Sequence, residues 1–184
     1  MKFSVETIRP DDYVAVRGII ADSYKNDMPN TDGDEVDMVD RLRSYSEYWD
    51  NFEVVAKDQD HQVIGHALMI PIQVSSPWHS FDIVSIVEIS VGSEYQDQGI
   101  GQAMVTELET RAQLAGYPAV SAIDNSDFFF KNNYVPADNF DIYSSLSIDL
   151  NANMIKPLFD GSLFNKGGKV YYPEEFFGVR NTEA

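Results

Sequence analysis

Hydrophobic positions along the chain follow two periods, and the changes between them mark out its elements. Residues 2–8 alternate through Phe3, Val5 and Thr7/Ile8, the period of a half-buried strand, and stop at Arg9-Pro10, where proline disfavours continuation. Asp11 or Asp12 then N-caps a helix carrying Val14, Ile19, Ile20 and Tyr24. Residues 25–32 (KNDMPNTD) read as a loop, and Asp32 with Glu35 resembles a capping box that opens a helix with Val36, Val39 and Leu42. Two strand-like runs, 52–57 and 62–74, are joined by Asp58-Gln59-Asp60-His61 at hairpin spacing. Pro71 cannot donate to a ladder, so it marks a bulge or an edge position. Residues 83–91 form a third apolar run that a single carboxylate, Glu88, interrupts.

The clearest helix is 102–115, where Met104, Leu108, Ala112 and Ala115 share a face. Glu107 and Arg111 support it as an i,i+4 pair, and Gly116 suits the left-handed position after its end. A short strand (118–123), a brief helix (126–133) and a late strand (143–150) follow, while 156–177 has no clear period. The order β-α-α-β-β-β-α-β-α-β implies an α/β (α+β layered) fold with a mixed sheet between helices. We expect a single domain over residues 1–184, with a core at about 2–150 and an extension at about 151–184.

Composition narrows the function. Hydrophobic residues make up 43% of 184, enough for a core, but 30 acidic against 13 basic side chains leave a net charge of −17. Affinity for nucleic acid or anionic lipid rests on cations, so neither is expected as a partner. Cysteine is absent, which removes thiolate nucleophiles, disulfides and cysteine-ligated metal. No run nears the ~18 apolar residues of a membrane helix, and residues 1–6 lack a signal-peptide core. A soluble cytoplasmic protein is therefore the expectation. His61 falls in a turn, His79 in a loop and His66 in a strand, without metal-ligand spacing, so no metal is expected and all three read as surface or packing residues. Ser90 and Ser126 have no adjacent histidine or aspartate to mark a hydrolase.

The chemistry concentrates at Gln96-Asp97-Gln98-Gly99-Ile100-Gly101, between an apolar strand and an amphipathic helix. Glycines let the backbone approach a ligand, and the free N–H groups of a helix start favour a phosphate or pyrophosphate. A plain tight turn is the simpler reading of the same residues. The P-loop and dinucleotide glycine patterns do not match.

Val91-x-x-x-x-Gln96-x-x-Gly99-x-Gly101 resembles the Gln/Arg-x-x-Gly-x-Gly/Ala signature of the GNAT superfamily of acyl-CoA-dependent N-acetyltransferases. Phe128-x-x-Lys131-x-Asn133-Tyr134 is similar to that family's Phe-Tyr-x-Lys-x-Gly-Phe, and Val63-Ile64-Gly65-His66 to its Val-Val-Gly-His strand. The tail Gly168-Lys169-Val170-Tyr171-Tyr172-Pro173-Glu174-Glu175-Phe176 resembles the ending of a bacterial branch called YhbS-like. The likeness covers residues 2–177.

This resemblance implies a mostly antiparallel sheet with a V-shaped splay and, in the splay, acetyl-CoA as co-substrate. Ile89 and Val91 would pair with its pantetheine arm like an added strand. Gln96, Asp97, Gln98, Gly99, Ile100, Gly101 and Gln102 would hold its pyrophosphate, with Asn125 and Lys131 as further contacts. The activity implied is direct transfer of acetyl to a primary amine of a small acceptor, with Glu88 as general base, directly or through water. Burial of that lone carboxylate would raise its pKa; pairing with a neighbouring Lys or Arg is the bland alternative. The family's usual tyrosine near the sulfur is replaced by Phe129, which has no proton to give. Water, Tyr134 or Tyr143 then protonates the thiolate, or it leaves unprotonated. A binding or regulatory module with little activity is the competing reading. The family builds its acceptor pocket from loops that here carry Asp27, Asp32, Asp34, Asp138 and Asp141, so a cationic amine is the expected partner, and a homodimer stays open.

Overall fold

The computed structural model describes residues 2–25, 33–123 and 125–178. Its strands are β1 (Ser4–Thr7), β2 (Glu53–Lys57), β3 (Val63–Ser75), β4 (Ser80–Val91), β5 (Ala119–Ile123), β6 (Val135–Pro136), β7 (Ile142–Ser144), β8 (Asn153–Pro157) and β9 (Gly168–Tyr171). The helices are α1 (Tyr13–Tyr24), α2 (Glu35–Leu42), α3 (Ile100–Leu114) and α4 (Ser126–Lys131). Strands hydrogen-bond in the order β1-β2-β3-β4-β5-β8-β6, with β9 on β3 and β7 on β9. This is the mixed, mostly antiparallel sheet flanked by helices that the sequence implies.

The chain forms two compact units, and β3, β4 and α3 each pass through both. The first comprises Met1–Leu68, Glu88–Met104 and Pro173–Ala184. Here β1 pairs β2 with Val5↔Ala56, and β2 pairs β3 with Val55↔His66, both antiparallel. All five positions of β2 are buried, so this strand reads as a continuous apolar run that still contains Glu53 and Lys57. Lys57 is held by Asp12 at 2.8 Å. Val16 and Ile20 of α1 and Met38, Val39 and Leu42 of α2 are buried. The expected Asp32 cap lies outside the described residues. The N-cap of α2 is Asp34, whose carboxylate binds the Arg41 guanidinium at 2.5 and 2.9 Å rather than the helix amides.

The second unit comprises Met69–Val87 and Val105–Tyr172. Its one β4–β5 ladder is parallel and runs from Val84↔Val120 to Ile86↔Ala122, while β4 itself continues to Val91. Strand β8 pairs antiparallel with both β5 and β6. Pro71 falls between the last β3 residue paired to β2, Leu68, and the first paired to β9, Gln73.

Two expectations at the C-terminal end are corrected. Residues 143–150 do not form one strand: β7 ends at Ser144, and a 3-10 turn occupies Leu150–Ala152. The apparently aperiodic stretch 156–177 holds the end of β8 and all of β9, and β9 joins β7 in parallel and β3 antiparallel. Strands this short show too few alternations for a period to be read.

Candidate active site

The glycine-containing loop lies in the first unit. A 3-10 turn (Ser93–Tyr95) leaves the end of β4, and Asp97 and Gly99 then adopt left-handed backbone with φ of 59° and 79°. Open space surrounds the position where a Cβ on Gly99 would stand, so the requirement for glycine there comes from the backbone and not from crowding. Side-chain amides brace the turn: Gln96 Nε2 donates to Val91 O at 3.3 Å and Gln98 Nε2 to Glu94 O at 3.2 Å. The first α-helical hydrogen bond of α3 is donated by Ala103 to Gly99 O at 3.0 Å. Gly99 is thus the N-cap, and the amides of Ile100, Gly101 and Gln102 precede every intrahelical donor. Those amides and the positive end of the helix dipole make a cradle for an anion that uses no lysine.

Gly65 explains how α3 begins so close to the sheet. A Cβ at this position would come within 3.0 Å of Met104 Cε, 3.2 Å of Ile100 Cγ2 and 3.3 Å of Ser90 O. The small residue in the Val-Ile-Gly-His run therefore sets the distance between β3 and the start of α3.

Glu88 is 2% exposed, and its partner is neither Lys nor Arg. Its Oε2 is bound by Nδ1 of His66, and its Oε1 accepts from the hydroxyl of Ser90, itself buried. The other His66 nitrogen, Nε2, bonds Glu53 Oε1 at 2.8 Å. Glu53 also receives Arg43, with Nη2 at 2.6 Å and Nε at 3.2 Å, and the Tyr48 hydroxyl at 2.6 Å. The Arg43 guanidinium stacks 3.9 Å from the centroid of the Tyr13 ring and pairs with Asp40 at 2.8 Å. His66 is therefore not a plain packing residue but the centre of a buried charge array.

Protonation follows from this geometry. Burial pulls the His66 pKa down, but the charge of Glu88 and hydrogen bonds to both carboxylates outweigh it and raise it to about 9. Burial pushes Glu53 up, yet hydrogen bonds from His66 and Arg43 hold it down at about 2. At neutral pH the imidazole is a cation with a donor on each carboxylate. Tyr48 is driven well above the ordinary phenol value, first by burial and then by Glu53.

The remaining expected residues fall as follows. Ile89 and Val91 are half-buried on β4, in the same unit as the loop. Asn125 and Lys131 lie in the second unit, exposed, with Asn125 at a left-handed φ of 46° as the residue preceding α4. Asp27 and Asp32 are outside the described residues. Asp138 is half-buried in a 3-10 turn with no hydrogen bond to its Oδ1, and Asp141 is exposed with a left-handed φ of 57°. Asp34 is spent on Arg41, which lowers its pKa. Of the two tyrosines considered as acids, Tyr134 is fully buried against Phe129, ring centroids 5.1 Å apart, and burial followed by Glu109 raises its pKa well above 10. Tyr143 is 45% exposed. Among the described residues no group of three His, Asp or Glu is arranged to hold a metal, and no helix is long and apolar enough to cross a membrane.

The sequence matches the acetyltransferase (GNAT) family over residues 18–130. Its fold is similar to an Escherichia coli GNAT N-acetyltransferase, YhbS, solved with CoA: TM-score 0.82 at 22% identity, covering 96% of this chain and 92% of that one. A Brucella melitensis GNAT acetyltransferase in complex with acetyl-CoA matches with TM-score 0.74 at 17% identity, over 96% and 99% of the two chains. Chaetomium thermophilum Naa20, solved with a bisubstrate analogue, matches with TM-score 0.58 at 21% identity, over 84% and 86%. No curated protein matches the sequence.

Proposed function

The chain belongs to the acetyltransferase (GNAT) family, and from that premise we propose that it moves acetyl from acetyl-CoA directly to a primary amine of a small, cationic acceptor. The observation that carries this reading is the cradle at residues 96–102, whose unpaired amides open α3 behind two left-handed residues. A pyrophosphate fits there because backbone dipoles supply the positive potential that a protein of net charge −17 otherwise lacks. The E. coli and Brucella relatives, of the same fold, were crystallised with CoA and acetyl-CoA, which supports the same co-substrate here.

In the reaction, the bound thioester supplies an activated acetyl group. This chain aligns the amine, removes its proton and leaves the thiol to depart. Ile89 and Val91 alternate with Glu88 and Ser90 along β4, so a strand-like ligand along that edge would bring the transferring group beside the base. Both Glu88 oxygens already have partners inside the protein, which favours proton removal through Ser90 or water over direct contact. Phe129, buried, has no proton to give, so the thiolate takes its proton from solvent.

Acidic side chains at Asp27, Asp32 and Asp138 would favour a cationic acceptor, and the test follows from this. Thiol release from acetyl-CoA is measured with spermidine and with glutamate as acceptors, at low and high salt. Release that needs spermidine and weakens with salt supports the reading. Binding of acetyl-CoA without release for any amine in a wider panel would favour the regulatory-module alternative.

A further inference from the structure

The array around His66 contains more ordered charge than the removal of one proton demands. Among the described residues, the imidazole bonds Glu53 from β2 and Glu88 from β4, with Ser90 on Glu88 and with Arg43, Tyr48, Tyr13 and Asp40 behind Glu53. The two carboxylates on the imidazole are loaded unequally. Glu53 takes four further N–H or O–H contacts from Arg43 and Tyr48, whereas Glu88 takes one, from Ser90. With Arg43 and His66 charged, the array Arg43–Glu53–His66–Glu88 sums to zero, which is the condition under which buried ions are tolerated.

We propose that His66 is a positioning residue for acetyl transfer: held at one nitrogen by Glu53, it fixes the Glu88 carboxylate against the Ser90 hydroxyl and makes Glu88, not Glu53, the end of the array that takes the proton from the acceptor ammonium. The proposal rests on Glu88 being the base. The ammonium proton passes to Ser90 Oγ as the serine passes its own to Glu88 Oε1. Glu88 becomes a neutral acid and the array gains one positive charge. That proton returns to solvent after turnover, as does the second amine proton, lost as the C–N bond forms, while the departing thiolate takes one proton from solvent. Glu53 does not take the proton, because Arg43 and His66 hold it ionised far below neutrality.

The experiment compares wild type with H66Q, E53Q and E88Q by thiol release from acetyl-CoA with spermidine across pH. Removing the cation in H66Q is expected to move the acid limb of kcat/KM upward by about one pH unit or more and to lower kcat about tenfold or more, with KM for acetyl-CoA unchanged. In E53Q, Glu88 becomes the sole anion on the imidazolium, so the limb is expected to stay or move down. A purely structural role predicts slower variants whose limbs do not move. An H66Q limb in the wild-type place, or an E53Q limb that rises with it, overturns the proposal. An E88Q enzyme as fast as wild type overturns the base reading and the proposal together, whereas a slow E88Q beside an unmoved H66Q limb overturns the proposal alone. Should H66Q not fold, or spermidine not be turned over, nitrogen-15 histidine spectra of the wild type decide. Both His66 nitrogens protonated at neutral pH and titrating near pH 9 support the array, and a neutral tautomer at neutral pH overturns it.

Discussion

At the scale of single residues, Ser90 is the side chain on which the mechanism narrows. It is 2% exposed, donates to Glu88 Oε1, and stands between the two residues expected to pair with the co-substrate. Replacing it with alanine removes one charge-assisted hydrogen bond and leaves a buried carboxylate oxygen without its donor. Ser90→Ala is expected to lower kcat about tenfold to a hundredfold with KM for acetyl-CoA little changed, and Ser90→Thr, which restores the hydroxyl, to recover most of it. Steady-state thiol release at saturating acetyl-CoA measures both. Glu88 was legible in the sequence because a lone carboxylate in an apolar strand is conspicuous. Its partners were not: His66 lies 22 residues before it and Glu53 a further 13 before that, on two other strands. Alternation along a strand assigns faces but not register, and here the β2–β3 register shifts between Ala56 and Lys57, so no spacing rule joins the three.

At the scale of elements, the loop that opens α3 and the strand β9 teach opposite lessons. The loop was legible because glycines at fixed spacing before an amphipathic helix state both a turn and a helix start, and its φ of 79° at Gly99 agrees. A Cβ there meets no neighbour, so the cost of valine begins with the left-handed backbone, about 1–2 kcal/mol, and the loop is expected to rearrange instead. Gly99→Val should keep near-wild-type stability without ligand yet lose most of the shift that acetyl-CoA gives the wild type. That shift is about 2.7 kcal/mol at a hundredfold excess over Kd. A thermal-shift titration measures both. Strand β9 was illegible because its four residues depend on distant partners, β3 and β7, rather than on local pattern. Its first residue shows the constraint: a Cβ on Gly168 would stand 2.7 Å from Ser75 O and 3.0 Å from Val74 Cγ1. Because the obstacle is backbone, Gly168→Val is expected to cost on the order of 2–3 kcal/mol, read as a lower denaturant midpoint.

At the scale of the whole molecule, the charge of −17 is unevenly committed. Six of the 13 cations, Arg17, Arg41, Arg43, Lys57, Arg111 and Lys156, are in ion pairs, which reduces what is available for a phosphate and gives the amides of α3 their importance. The buried array also sets how stability should vary with pH. His66 has a folded pKa of about 9 against an ordinary 6.5, so its contribution is complete below pH 6.5 and is lost as pH rises through about 9. Glu53 has a folded pKa of about 2 against an ordinary 4.5, so its contribution is complete above pH 4.5 and is lost as pH falls toward 2. Both are present in full only between pH 4.5 and 6.5, and the alkaline decline belongs to the histidine. A melting-temperature profile of the wild type should therefore plateau in that window and fall on its alkaline side as pH rises toward 9. In H66Q the acidic side should persist and the alkaline fall between pH 6.5 and 9 should vanish with the histidine. A variant profile that still declined across that interval would show that the alkaline limb comes from another group.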